Sequence, residues 1–167
     1  IANSFNYLFG DTFIIPSAKT DNNNMIIPGT DGQKMSKSYN NYISILGDKK
    51  ILKKQIMNIV TDSKSLDESK NANQCNVFQI YKLIAPKSKS DELKFKYDKG
   101  GLGYGHAKAE LFEMILEKFQ EPRERFEELM KNPKTIENEL AKGASRAQSI
   151  ASGVLKRIKI NLGLMSA

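Results

Sequence analysis

The segment Pro28-Gly29-Thr30-Asp31-Gly32-Gln33-Lys34-Met35-Ser36-Lys37-Ser38-Tyr39-Asn40-Asn41 decides how the rest of the chain is read. Inside it, Lys34 to Ser38 sets two ammonium groups three residues apart, with small hydroxyls around them. Gly29 and Gly32 lower the steric cost of unusual backbone angles and of hinge motion. A lysine is a point charge on a flexible stem and can follow a phosphate as its geometry changes. Hydroxyls and exposed backbone N–H groups supply the remaining donors, so such a loop suits the oxygens of a polyphosphate leaving group. At average residue frequencies the pentapeptide arises by chance in on the order of one in ten thousand chains of this size. The competing reading is a solvated basic turn.

On the N-terminal side, Thr12-Phe13-Ile14-Ile15 is a β-rich run closed by Pro16, and Met25-Ile26-Ile27 reads as a second short strand before Pro28. The loop therefore follows a strand, where a phosphate loop of an α/β fold lies. Further back, Phe5, Leu8 and Phe9 share a helical face and Gly10 sits where a C-cap belongs. Opening at Ile1 rather than Met, this reads as the end of a helix that begins upstream, and the chain as a fragment.

Beyond about residue 45 the pattern turns helical. Asp48 N-caps a helix carrying Ile51, Leu52, Ile56 and Ile59, with lysines at 49, 50, 53 and 54. A polar loop over 61–75 leads to Asn76, read as the cap of a short helix with Val77, Ile80, Tyr81 and Ile84 on one face, ended by Pro86. A further short helix is expected over 91–97, broken by Gly100 to Gly103. From about Gly105, Leu111, Phe112, Ile115, Leu116, Phe119, Phe126, Leu129 and Met130 keep the 3.6-residue period, with Pro122 expected to kink or split the helix. Asn132-Pro133 starts the last stripe, Ile136, Leu140, Ala147, Ala151, Val154, Leu155 and Ile158, within which Gly143 is either a tight joint or a tolerated interruption. The architecture expected is mainly α: an α/β remnant over 1–45 and a helical bundle over 46–167.

Composition narrows the function. The 167 residues carry 26 Lys plus Arg against 19 Asp plus Glu, a net charge of +7, which favours phosphate-bearing partners over a neutral ligand. Hydrophobic residues at 40% suffice for a core, and no apolar run approaches the roughly 20 residues that span a bilayer. A single Cys, Cys75, excludes an internal disulfide and fits a reducing compartment, and with a single His, His106, a Cys/His zinc site is excluded as well. Neither Cys75 nor His106 reads as catalytic; Cys75 falls in a polar loop without a base, and His106 near a helix start reads as structural or capping.

The pentapeptide is identical to the signature loop of class I aminoacyl-tRNA synthetases, and its surroundings resemble the bacterial-type tryptophanyl-tRNA synthetases. Phe5-Asn6-Tyr7-Leu8-Phe9-Gly10-Asp11 resembles the segment after that family's nucleotide-binding stretch, and Pro28 to Gly32 its lead-in to the signature. The likeness continues through Val60-Thr61-Asp62-Ser63, Cys75-Asn76-Val77-Phe78, Gly103-Tyr104-Gly105-His106-Ala107-Lys108-Ala109-Glu110-Leu111-Phe112 and Gly143-Ala144-Ser145-Arg146-Ala147. These later motifs matter because the loop alone also fits the tyrosyl relatives and other class I enzymes. The family's His-Ile-Gly-His-type motif is absent, so the resemblance implies the C-terminal half: the end of a Rossmann-type catalytic domain over 1–45 and an anticodon-binding helical domain over 46–167.

The resemblance further implies that tryptophan attacks the α-phosphate of ATP, bound with Mg2+, and that the acyl group then moves to tRNA(Trp). Lys34 and Lys37 would be the catalytic pair, with Met25, Met35, Ser36 and Ser38 completing the ATP site and Met25 approaching the adenine through its main chain. Arg123, Arg125, Arg146, Lys156, Arg157 and Lys159 become candidates for tRNA contacts. No protein-bound metal is implied. The intact enzyme would be a cytoplasmic homodimer, and the half alone inactive. The alternative is a stand-alone helical RNA-binding module that has kept a synthetase loop.

Overall fold

A computed structural model describes residues 1–19 and 26–166. The helices are α1 (Ala2–Phe9), α2 (Lys49–Met57), α3 (Asn76–Ile84), α4 (Lys87–Lys99), α5 (Tyr104–Lys118), α6 (Gln120–Lys131) and α7 (Pro133–Asn161), with one 3-10 turn at Ala72–Gln74. The mainly α reading stands, but among the described residues no strand forms at 12–15 or at 26–27. Among the described residues the extended pairing is limited to one antiparallel bridge between Pro28 and Lys34. A strand needs a neighbour for its backbone groups. At 12–13 those groups go instead to the Asn6 side chain, whose Oδ1 accepts from the amides of Thr12 (3.2 Å) and Phe13 (2.9 Å). Met25 lies outside the described residues.

The chain groups into two compact units, residues 20–127 and residues 1–19 with 128–167. In the first, α5 packs against both α2 and α3, and α3 also against α4. Leu52, Ile56, Val77, Leu93, Tyr97, Ala107 and Leu111 are fully buried between them. Asp48 caps α2 as expected, its carboxylate accepting from Lys50 N (2.7 Å) and Ile51 N (3.2 Å). Asn76 does not cap α3: the cap position is Cys75, and the Asn76 amide reaches back to donate to Val60 O at 3.0 Å. The helix expected over 91–97 starts earlier, directly after Pro86 at its N-cap, where a missing N–H costs nothing. Pro122 splits the long apolar series as anticipated. Its missing amide hydrogen would have bonded to Lys118 O, which is where α5 ends.

In the second unit, α1 ends at Gly10 with φ +82°, a backbone region that glycine adopts without strain. Phe5 stacks edge-on against Phe13 at 5.1 Å between centroids. The buried Thr12 takes a bond from Asn161 Nδ2 (2.6 Å), which anchors the end of α7. α7 runs through Gly143 unbroken for 29 residues, and a Cβ at that glycine would meet nothing, so the interruption is a tolerated one. Its apolar stripe is not a core: no α7 residue is buried, and Leu140 is 67% exposed.

Two substitutions separate these environments. Leu111→Ala should lower the free energy of unfolding by about 2–5 kcal/mol, because the site is closed on all sides. Gly143→Ala should raise it by up to about 1 kcal/mol through helix propensity alone. Urea unfolding followed by circular dichroism measures both.

Candidate functional site

The 26–41 segment builds its shape without a sheet. Met35 N donates to Ile27 O (2.9 Å) and Gly29 N to Gln33 O (2.7 Å), closing a tight turn over 28–34. The next turn is made locally, by Ser38 N to Ser36 Oγ (3.2 Å) and Asn40 N to Lys37 O (3.1 Å). Asn40 sits at φ +53°, a left-handed conformation that asparagine tolerates better than most residues. Gly32 requires glycine twice over: its φ is +83°, and a Cβ would lie 2.7 Å from Asn76 Oδ1.

Behind the loop lies Asn41, 2% exposed. Its Oδ1 accepts from Ser36 N (2.7 Å), and its Nδ2 donates to Asp31 Oδ1 (2.8 Å) and Lys34 O (3.2 Å). Its backbone oxygen accepts from Thr30 N (2.8 Å). Gly29 lets this happen, since a Cβ there would fall 2.5 Å from Asn41 Cγ. Asp31, the one acidic residue of the 28–41 stretch, is occupied by the amide of Asn41 and by Gln33 N (3.0 Å).

The loop carries its two lysines outward. Lys34 and Lys37 are exposed, as is Ser38, while Met35 and Ser36 are half-buried. Neither ammonium group has a hydrogen bond or ion pair among the described residues, so both charges face solvent uncompensated. Met35 lies against the helical core in an apolar groove of about 280 Å³, shared with Ile27, Ile43, Ile84 and Phe119.

The helices hold the segment from below. Val60 N donates to Thr30 O (2.7 Å), and Ser44 N to Gln55 Oε1 (2.9 Å) on α2. Arg123 of α6, 6% exposed, places its guanidinium on Ile45 O and Gly47 O (2.9 Å to the latter). That geometry gives Arg123 a fastening role. Of the other cationic side chains singled out in the sequence, Arg125 is on α6, and Arg146, Lys156, Arg157 and Lys159 are exposed on α7. Arg157 Nη2 donates to Thr12 O at 3.4 Å.

Sequence reasoning missed Asn41, Asp31 and the fastening by Arg123. A pattern did exist for the first two: short amide and carboxylate side chains flanking the lysines ten residues apart. Cys75 and His106 are corrected here as well. Cys75 is a core residue, 7% exposed, with Sγ 3.4 Å from Tyr97 Oη, because the 3-10 turn before it folds the polar loop inward. His106 is exposed on α5 and its side chain caps nothing. Lys70 is 2% exposed, its ammonium satisfied by the carbonyls of Ser65 (2.6 Å), Leu66 (3.3 Å) and Glu68 (3.0 Å) and lying 5.4 Å from the Tyr104 ring centre. Nearby, Tyr104 Oη donates to Asp62 Oδ1 at 2.6 Å.

Among known proteins, the family model for class I tRNA synthetases (W and Y) matches residues 1–120. A tryptophan–tRNA ligase of Fusobacterium nucleatum is 46% identical over 166 residues, and one of Rhodopirellula baltica 43% identical over 164. These alignments take in 99% and 98% of this chain and 51% of each relative. The crystal structure of tryptophanyl-tRNA synthetase from Campylobacter jejuni complexed with ADP and tryptophane superposes with a TM-score of 0.80 at 42% identity, over 98% of this chain and 51% of that one. The chain thus spans about half the length of the curated relatives it matches.

Two stability measurements test the geometry. Gly29→Ala should destabilise by about 1–3 kcal/mol, since its methyl group meets Asn41 where neither backbone can retreat. The Tyr104 hydroxyl, and after it the Lys64 amide, hold the Asp62 carboxyl below its ordinary 3.8. A depressed carboxyl contributes fully above its unfolded value and loses that contribution as pH falls through the folded one. Tyr104→Phe should therefore flatten the acid limb of the stability profile below about pH 4, by well under 1 kcal/mol because Asp62 is solvated.

Proposed function

The chain belongs to the class I (W and Y) tRNA synthetase family, and on that premise we propose that it is the C-terminal half of a tryptophan–tRNA ligase. The observation that carries the reading is the Lys34–Ser38 loop, with two uncompensated exposed ammonium groups on a backbone fixed from behind. In the first step a tryptophan carboxylate oxygen attacks the α-phosphorus of ATP. A new P–O bond forms, the bond to the bridging oxygen breaks, and pyrophosphate leaves with the magnesium that accompanies the nucleotide. Lys34 and Lys37 neutralise the charge that grows on the β- and γ-phosphates as that bond lengthens. Only stabilisation that is greater in the transition state than in the ground state accelerates the step. Solvent-facing lysines on short turns suit that demand, because they can approach the leaving group as it departs.

Ser36 and Ser38 offer hydroxyls, and Met35, set against the core, fixes the loop's inner edge. Residues 1–45 then complete the catalytic domain and 46–167 form the anticodon-binding domain, within an enzyme that acts in the cytoplasm as a homodimer. In the second step the acyl group passes to the 3′ end of tRNA(Trp). Arg125, Arg146, Lys156, Arg157 and Lys159 are the cations we assign to tRNA, chiefly through phosphates, a kind of contact whose affinity falls with salt. Arg123 contributes from below, by holding the 45–47 turn.

Tryptophan-dependent ATP–pyrophosphate exchange tests the proposal. This chain alone should show no exchange, and the chain supplied with the N-terminal half of its parent should show it. A folded complex of the two halves without exchange would overturn the reading and leave RNA binding as the function. In the active form, Lys37→Ala should lower the adenylation rate by about 100-fold or more while changing ATP affinity by less than about threefold. Equal losses in both would remove Lys37 from the transition state.

A further inference from the structure

Among the described residues, Asn41 is a buried polar side chain whose hydrogen bonds all go to the 28–41 stretch that carries the proposed catalytic loop. We propose that Asn41 is the positioning residue of that loop, acting with Asp31 as a donor–acceptor pair that sets the register of Lys34 and Lys37; this rests on the synthetase reading above. A surface loop of lysines and serines has no internal reason to hold one conformation. Asn41 supplies it from outside the pentapeptide: Oδ1 fixes the amide of Ser36 (2.7 Å) and Nδ2 the carbonyl of Lys34 (3.2 Å). The two bonds grip the peptide groups on either side of Met35, so the backbone between the lysines cannot rotate freely.

Asp31 sets the polarity of this grip. Its Oδ1 accepts from Asn41 Nδ2 (2.8 Å) and from Gln33 N (3.0 Å). The amide of Asn41 is thereby oriented with nitrogen toward Asp31 and Lys34 and oxygen toward Ser36. A flipped amide would face a carboxylate and a carbonyl with an acceptor, and the amide of Ser36 with a donor. The same bond turns Oδ1 of the stretch's sole carboxylate toward Asn41, and Asp31 makes no ion pair with either lysine among the described residues. Gly29 makes room for the arrangement, leaving no space for even a methyl group beside Asn41.

The test exchanges the two partners in the full-length parent enzyme, followed by ATP–pyrophosphate exchange. Asn41→Ala should lower the turnover by about 10- to 100-fold with the KM for tryptophan unchanged, because a mispositioned loop affects the phosphate step. Asn41→Asp should be at least as slow at neutral pH, since two carboxylates then face each other. Its activity relative to the wild type should rise as pH falls and a proton is shared between them. The double variant Asp31→Asn with Asn41→Asp removes the facing carboxylates and should be faster than Asn41→Asp, yet stay below the wild type because no donor then reaches Lys34 O. Unfolding temperatures across the same pH range separate positioning from folding: a purely structural role would move stability and the KM for tryptophan together with turnover. Asn41 variants within about twofold of an active wild type, or a double variant no faster than Asn41→Asp, would overturn the inference and leave the synthetase reading intact. An inactive wild-type parent would overturn that reading and this inference with it.

Discussion

The packing of α5 against α2 and α3 is the constraint on which the rest of the 20–127 unit depends. Residues 26–47 have one bridge and no helix of their own, so nothing local would hold them folded. They are held because the helical core presents fixed partners: Gln55 on α2 for Ser44, the Val60 amide for Thr30, and an apolar surface for Met35 and Ile43. Arg123 adds a guanidinium beneath the 45–47 turn. A loop that must present charge to a ligand gains from this arrangement, because its stability comes from the scaffold and its outer face stays uncommitted.

Buried and exposed cations in this unit are treated differently, and the difference is chemical. Lys70 and Arg123, nearly free of solvent contact, are satisfied by backbone carbonyls. A buried charge without such partners would be strongly destabilising. Lys34 and Lys37 lie in water, where an unpaired ammonium costs little and remains available. The acid nearest to them in this stretch, Asp31, turns its Oδ1 to Asn41 and pairs with neither lysine among the described residues. Pairing either lysine with a carboxylate would stabilise the surface by at most about 1 kcal/mol while cancelling the charge that a phosphate needs.

What the sequence made legible is what depends on local chemistry. The loop could be read from five residues, the α2 start from Asp48, and the break after α5 from Pro122, because a carboxylate cap and a missing amide act within one helical turn. The strand expectation at 12–15 failed for the complementary reason. β-rich residues express a preference that only a partner strand can satisfy, and at 12–13 a single asparagine from α1 took the backbone groups instead. Asn76 shows the same limit. It has the chemistry of a cap, but it stands one residue inside α3, and its side-chain amide donates to Val60 O instead.

The residues that escaped the sequence reading share one property: their role is set by what the fold places beside them. Cys75 looks like a loop cysteine until the 3-10 turn carries it under Tyr97. Arg123 looks like one more basic residue on a charged helix, since its partners lie 76 and 78 positions away and are carbonyls, which every residue carries. Asn41 closes a run of polar residues that reads as loop throughout, and only the approach of Gly29 to its amide reveals a buried position. Residues that meet the ligand are read from composition because their chemistry must match something outside the protein. Residues that aim them match only the backbone, and the backbone's path is what the sequence leaves unstated. The division explains why the signature loop could be recognised at sight while the side chains that hold it in place could not.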